Sequence, residues 1–343
     1  MMMNMISTMK RLRVKLIARG SSSQLWKKQL SGNRNYWHNC EFVFDLESNA
    51  YDWLVVIDDV SRKINGQIVK LCCPEEHTLL VTTEPPTITR YGHHFTSQFA
   101  NVLTTQPESS LQHPKRIFSN SAHFWFNGHS FDELCDNKNF VKNKILSSVC
   151  SSKLGRITNH SRRFEFTQYA QKRIGELDVY GHGVKFISKK FQALDSYKFH
   201  LAIENYIGDH HWTEKISDAF LSECIPIYYG CPNIDAYFPI ESIIQIDLND
   251  FNGSVKRIQD VIQDPRYYQD RYDAIKEAKR KVMEKYNLLA LLDGMIPQLD
   301  TSSSNASGKI LHGRKKMRLI HPREAIEHIT WKTKCFYHEH MAN

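Results

Sequence analysis

The chain has 343 residues, more than one ordinary hydrophobic core serves, and its 41% hydrophobic and 24% charged content is that of a soluble globular protein rather than a disordered one. No run approaches the ~20 apolar residues of a membrane span, and the start, "MMMNMISTMKRLRVK", lacks the apolar stretch of a signal peptide. The net charge of +8 is uneven: from Lys309 onward eight Lys/Arg stand against three Glu, so the body is near balance and a basic tail points to an acidic partner such as a membrane surface, nucleic acid or another protein.

In chain order, "RVKLIA" (13 to 18), "WLVVID" (53 to 58), "TLLVTT" (78 to 83) and "NVLTTQ" (101 to 106) are apolar runs of strand length. From about residue 145 the rhythm resumes. "KILSSVCS" predicts a strand, "RRFEFTQYAQKRI" a helix and "LDVYG" a strand. "KFHLAIEN" predicts a further strand, "TEKISDAFLSE" a helix, and "CIPIYYG" and "SIIQIDL" two more strands. After Asp250 the pattern is helical to about Leu292, and "TSSSNASG" (301 to 308) has linker composition. This order predicts two α/β domains in tandem, each with a buried parallel sheet, followed by the tail. Ligands are then expected between the domains and at the carboxyl ends of the strands.

None of the eight cysteines forms a C-x-x-C pair, and several sit in apolar runs, which predicts reduced core cysteine in a cytosolic protein. The sequons at Asn159, Asn252 and Asn305 are then chance. No D-x-D triplet is present, so no divalent metal is expected. Asp58 and Asp59 read as a strand end, His93 and His94 as packing or cleft residues, and Cys335, His338 and His340 as part of the tail rather than a zinc site.

The stretch "HHWTEKISDAF" (210 to 220) carries the chemistry. Glu204 and Asn205 end a buried strand, Thr213 is a good N-cap, and Glu214 and Lys215 open a helix. A lysine in the first helical turn opposes the helix dipole unless an anion lies in front of it. Free N–H groups, the positive dipole end and the ammonium together would suit a diphosphate. The plainer alternative is a capped helix with a solvated lysine.

The segment from Tyr197 to Gly230, "YKFHLAIEN…WTEKISDAFLSECIPIYYG", resembles the donor-binding motif of the family-10 glycosyltransferases, the α1,3/α1,4-fucosyltransferases. "SSVCSSK" (147 to 153), "NHSRRFEF" (159 to 166) and "TTEPPTITRYGHHFTSQFANVLTTQ" (82 to 106) are similar to that family too, so the likeness spans roughly residues 78 to 290. The resemblance implies a GT-B-like architecture, two Rossmann-like domains facing across a cleft. Residues 10–140 would form an acceptor-binding domain, 141–300 a GDP-sugar-binding domain, and 301–343 a flexible linker and basic amphipathic tail. It implies inverting transfer of L-fucose from GDP-fucose to an acceptor oligosaccharide, such as a lipopolysaccharide, with no metal or other cofactor required.

By the same resemblance Lys215 matches the lysine that neutralises the diphosphate, and Glu214 the glutamate that contacts the donor. Glu204 and Asn205 match the E-N pair, and Arg163 a second phosphate cation, although Arg162 beside it leaves the register open by one. Glu84, at the end of "TLLVTTE", is the candidate general base for the acceptor hydroxyl; otherwise it is a surface glutamate before a Pro-Pro turn. Tyr206, His211, Trp212, Ser222 and Glu223 depart from the family pattern, and His211 is a further candidate for contacting the donor. These departures leave open another GDP-sugar, or a catalytically inactive glycan- or nucleotide-binding protein on the same scaffold. The tail combines Pro322, suited to a helix start, with Ala325, Ile326, Ile329 and Trp331 as an apolar stripe among basic residues. It suggests docking on an anionic membrane surface at the cytoplasmic face, or packing back on the protein. Nucleic acid is not expected, since the charge is confined to the tail and no aromatic RNA-binding motif is visible.

Overall fold

The computed structural model describes residues 10–19, 23–136, 140–150, 160–181, 183–300 and 305–340. Its strands are β1 (Leu12–Ala18), β2 (Cys40–Val43), β3 (Trp53–Ile57), β4 (Ile68–Lys70), β5 (Thr78–Val81), β6 (Asn101–Thr104), β7 (Arg116–Phe118), β8 (Lys144–Val149), β9 (Leu177–Tyr180), β10 (Tyr197–Ile203), β11 (Ile225–Tyr229), β12 (Ile244–Gln245) and β13 (Ile310–His312).

Two parallel sheets result. The first has the order β2-β1-β3-β5-β6-β7, the second β12-β11-β10-β8-β9. In each, the first strand lies between the second and the third, so the build reverses direction beside it. Such a switch point opens a crevice at the carboxyl ends of the two strands that flank it. The crevices therefore lie beyond β1 and β3 in one unit, and beyond β8 and β10 in the other.

The central strands of both sheets are largely apolar and buried because both faces are covered. Val14, Leu16, Trp53, Val55, Leu79 and Val81 face one layer of the first sheet. The alternate residues Ile17, Leu54, Val56 and Leu80 face the other. In the second sheet Leu146, Phe199, Leu201, Ile225 and Ile227 pack on Phe166, Ala170, Val255 and Ile258 of the helices His160–Gln171 and Phe251–Gln263. Ala202 and Tyr228 on the opposite face meet Ile216 and Phe220 of the helix Glu214–Leu221. The expected α/β class with two Rossmann-like units is thus present.

The packing does not divide the chain at 140 and 300. Trp125 and Leu134 join the second unit's cluster with Ile216 and Phe220. The helix Leu288–Leu299 returns to the first unit, where Leu288, Leu289, Leu292 and Ile296 cover Val14, Trp53 and Val55. The start of the tail folds back as well. β13 pairs antiparallel with β4, and Leu311 and Met317 are buried against Val56 and Phe95. The physical reason is surface: without these segments both faces of the first sheet would show apolar residues to water. Residues 301–304 of the expected linker, residue 159 of the "NHSRRFEF" segment and residues 151–153 of "SSVCSSK" lie outside the described residues, as do the side chains of His338 and His340. The helix Pro322–His340 starts at the expected proline. Among the described residues no helix is long and apolar enough to cross a membrane. Of the eight cysteines, Cys40, Cys73, Cys150, Cys224 and Cys231 are buried.

Candidate functional site

A cavity of about 550 Å³ opens between the two units, at the carboxyl ends of both sheets. Ala18, Arg19, Ile57, Asp58, Thr83 and Glu84 line it from the first unit, and Glu204, Asn205, His211, Thr213, Glu214 and Lys215 from the second. A smaller cavity of about 190 Å³ lies at the second switch point, walled by Ser148, Val149, Arg163, Lys190, His200 and Ile203. Glu214 and Lys215 border both.

The second unit's side is built on β10. Glu204, the residue after the strand, is fully buried. Its carboxylate accepts from Thr213 N at 2.8 Å and from Thr213 Oγ1 at 2.8 and 2.9 Å, and pairs with Lys215 Nζ at 3.2 Å. Thr213 caps the helix Glu214–Leu221, with Oγ1 accepting from Lys215 N. Lys215 Nζ also donates to Thr213 Oγ1 at 3.0 Å and lies 3.3 Å from Glu214 Oε1. Burial alone would lower the pKa of this lysine; Glu204 and Glu214 together outweigh it and raise the pKa, against opposition from Arg163. Burial likewise pushes Glu214 up, but Lys215, Lys190 and His123 hold its carboxyl well below the ordinary range.

The lysine that opposes its helix dipole is therefore held by two carboxylates of the protein, at the border of the two cavities. It is a fixed cation rather than a solvated one. Of the two adjacent arginines, Arg163 is the one that lines the smaller cavity. It is buried, and its Nη1 donates to Asn205 Oδ1 at 2.9 Å, whereas Arg162 is exposed and bonds Leu248 O. Lys190 adds a third cation, 2.7 Å from the buried Asp218, whose carboxyl burial raises to about 6 against the pull of Lys190. His211 is buried, and its Nδ1 hydrogen-bonds Thr105 Oγ1 of the first unit at 3.0 Å. Burial, helped by His123 and Lys215, lowers its pKa to about 3, so the ring is neutral.

On the facing side Glu84 is exposed to the cavity. Its surroundings raise its pKa, first by desolvation, then through Asp58 and Glu214; Lys215 and Arg314 oppose the shift. Its backbone is pinned: Glu84 N donates to Tyr91 Oη at 3.3 Å, and Gln106 Nε2 donates to Glu84 O at 2.8 Å. Asp58 stands beside it with φ of 61°, an unusual conformation for a residue with a side chain. Its carboxylate accepts from Thr83 N at 2.7 Å, from Thr83 Oγ1 at 2.5 Å and from the Tyr91 hydroxyl. His123 projects between the units with its Nε2 buried and unpartnered among the described residues, and desolvation lowers its pKa.

All eight candidate residues thus line the two cavities. Sequence reasoning missed Asp58 as a cavity residue, Tyr91, Lys190 and His123. Asp58 was within reach, since it follows a buried strand as Glu84 does. His123 lies in an irregular segment with no periodicity to signal it. Among the described residues no group of three or more His, Cys, Asp and Glu is placed to hold a metal ion.

A comparison with known protein families falls on the second unit. Residues 141–290 match the model of the glycosyltransferase family 10 (fucosyltransferase) C-terminal domain. An alpha-(1,3)-fucosyltransferase, FucT, of Helicobacter pylori is 38% identical over 80 residues, 23% of this chain and 16% of that protein. An alpha-(1,4)-fucosyltransferase of Arabidopsis thaliana is 35% identical over 82 residues, 23% of this chain and 20% of that protein. The chain therefore spans a fifth or less of the length of the curated relatives it matches. A crystal structure of an alpha1,3-fucosyltransferase superposes with a TM-score of 0.48 at 16% identity, over 84% of this chain and 95% of that one. Through its second unit, the half that carries Arg163, Glu204 and Lys215, the chain resembles the family-10 glycosyltransferases.

Proposed function

We propose that the chain is an inverting fucosyltransferase that moves L-fucose from GDP-fucose to a hydroxyl of an acceptor glycan. The observation that carries this reading is the array of Arg163, Lys190 and Lys215 around the second switch point, within a segment similar to fucosyltransferases, with Lys215 also lining the cavity that holds Glu84. Fixed cations at a helix N-terminus suit a diphosphate and stabilise the charge of a departing GDP. Glu84 takes the acceptor hydroxyl's proton, and the acceptor oxygen attacks the anomeric carbon. The bond from that carbon to the diphosphate oxygen breaks, and its electron pair leaves with GDP. A raised pKa favours this role, because it makes the carboxylate a stronger base toward the acceptor hydroxyl. The names of the two curated relatives favour an α1,3 or α1,4 linkage, and a surface glycan such as a lipopolysaccharide is the acceptor class we favour.

The test is calorimetric binding of GDP, GDP-fucose, GDP-mannose and UDP, with turnover of wild type and Glu84→Gln. Guanine ligands should bind and UDP should not, and Glu84→Gln should lose about 10²–10⁴-fold in turnover while retaining GDP affinity. Preference for GDP-mannose would shift the reading to another GDP-sugar, which the departures at Tyr206, His211 and Trp212 favour. Guanine binding without any transfer would make it an inactive nucleotide-binding protein.

We further propose that the tail docks on an anionic membrane surface. Leu319, Ile320, Ile326 and Ile329 are exposed there, among Lys315, Lys316, Arg323 and Lys332. Removing residues 322–343 should weaken co-sedimentation with phosphatidylserine liposomes; unchanged co-sedimentation would remove the idea.

A further inference from the structure

The segment that follows the linker reaches the cleft from behind. β13 pairs with β4, Gly313 N donates to Gln67 O at 2.9 Å, and Gln98 holds His312 through both its backbone groups, at 2.8 and 3.0 Å. These contacts deliver Arg314 to Asp59. Arg314 is 7% exposed and Asp59 6%. The arginine's backbone N donates to Asp59 Oδ1 at 2.9 Å, its Nε lies 3.2 Å from Asp59 Oδ2, and its guanidinium stands 5.1 Å from the centre of the Tyr91 ring. Asp59 is the neighbour of Asp58, and the Tyr91 hydroxyl joins Asp58 to the backbone of Glu84. A buried arginine is retained only where its charge is matched, and this one is matched at the two groups that support the cleft carboxylates.

We propose that Arg314 is a positioning residue for the transfer, holding Asp58 and Glu84 at the cleft through Asp59 and Tyr91. The proposal rests on the reading of Glu84 as the base. It makes the C-terminal segment part of the reacting half, although it lies outside the residues that match the family domain.

The charged and titratable groups around Glu84 are Asp58, Arg314 and the Tyr91 hydroxyl from the first unit and its returning segment, and Glu214 and Lys215 from the second. Two carboxylates push its pKa up, and two cations pull it down. Loss of Arg314 leaves Lys215 alone against both carboxylates. The experiment is a ¹³C NMR titration of the Glu84 carboxyl in full-length wild type, Arg314→Met and Arg314→Lys, assigned by the signal missing from Glu84→Gln. GDP calorimetry on the same samples checks that the second unit is intact.

Arg314→Met should move the Glu84 titration upward, with Arg314→Lys recovering most of the shift. The acid limb of kcat/KM should move with it, and GDP affinity should stay within about twofold. A Glu84 titration identical in wild type and Arg314→Met overturns the proposal. If Arg314→Met does not fold, Tyr91→Phe keeps the ring and removes the link to Asp58 and Glu84. A tenfold fall in kcat/KM supports the proposal and an unchanged value overturns it. A shifted titration in a protein without turnover would instead strike the transferase reading and leave the placement of Arg314 standing.

Discussion

At the scale of residues, charge is balanced within the site before any ligand arrives. Lys215 faces Glu204 and Glu214, and Lys190 faces Asp218. An anion entering here meets cations already held in place, so little side-chain ordering remains to oppose binding. Lys215→Ala should weaken GDP binding by ~1.5–3 kcal/mol, the scale of a charge-assisted hydrogen bond, which calorimetry reads as roughly a tenfold to hundredfold loss. The same change strands the buried carboxylate of Glu204, so thermal denaturation should show a lower Tm for the variant. Replacing Glu204 by Gln in that background should recover part of the loss. A Tm equal to wild type would mean that Thr213 alone satisfies Glu204.

At the scale of elements, what could be read in the sequence was what local pattern dictates. β3, β5, β6, β8, β10 and β11 are continuous apolar runs and were expected where they lie. Thr213 and Pro322 mark helix starts by their own chemistry. β2, β4, β7 and β13 escaped. β7 is a three-residue edge strand only partly buried, and β13 exists because β4, some 240 residues earlier, offers it an edge. The site divides the same way. Glu84, Glu204 and Asn205 sit at strand ends, where the position itself signals a crevice. The hold of Thr105 on His211, and that of Arg314 on Asp59, come from contacts between distant segments that no local pattern records. Which sheet face each helix covers, as Leu288–Leu299 does on the first sheet, depends on the same kind of distant contact.

At the scale of the molecule, acid should loosen the second unit and the seam between units. His200 is buried against Ser147 and His211 against Thr105, and burial lowers both pKa values to about 3. Their folded values lie below the unfolded value near 6.5, so their contribution to stability is complete above about pH 6.5 and is lost as the pH falls toward 3. Tm measured from pH 7 to pH 4 should therefore fall steadily, and His200→Asn should flatten the slope; a parallel profile would assign the acid sensitivity elsewhere. The return of Leu288–Leu299 and Ile310–His312 to the first sheet has a consequence for biosynthesis. The ribosome releases all six strands of that sheet early, but the helix and the β13 segment that cover its two faces are made much later. The second unit, whose clusters lie between Trp125 and Tyr286, is complete before them. The portion translated in the middle is thus able to close its core before the portion translated first, whose apolar faces stay open until the covering helix and β13 emerge.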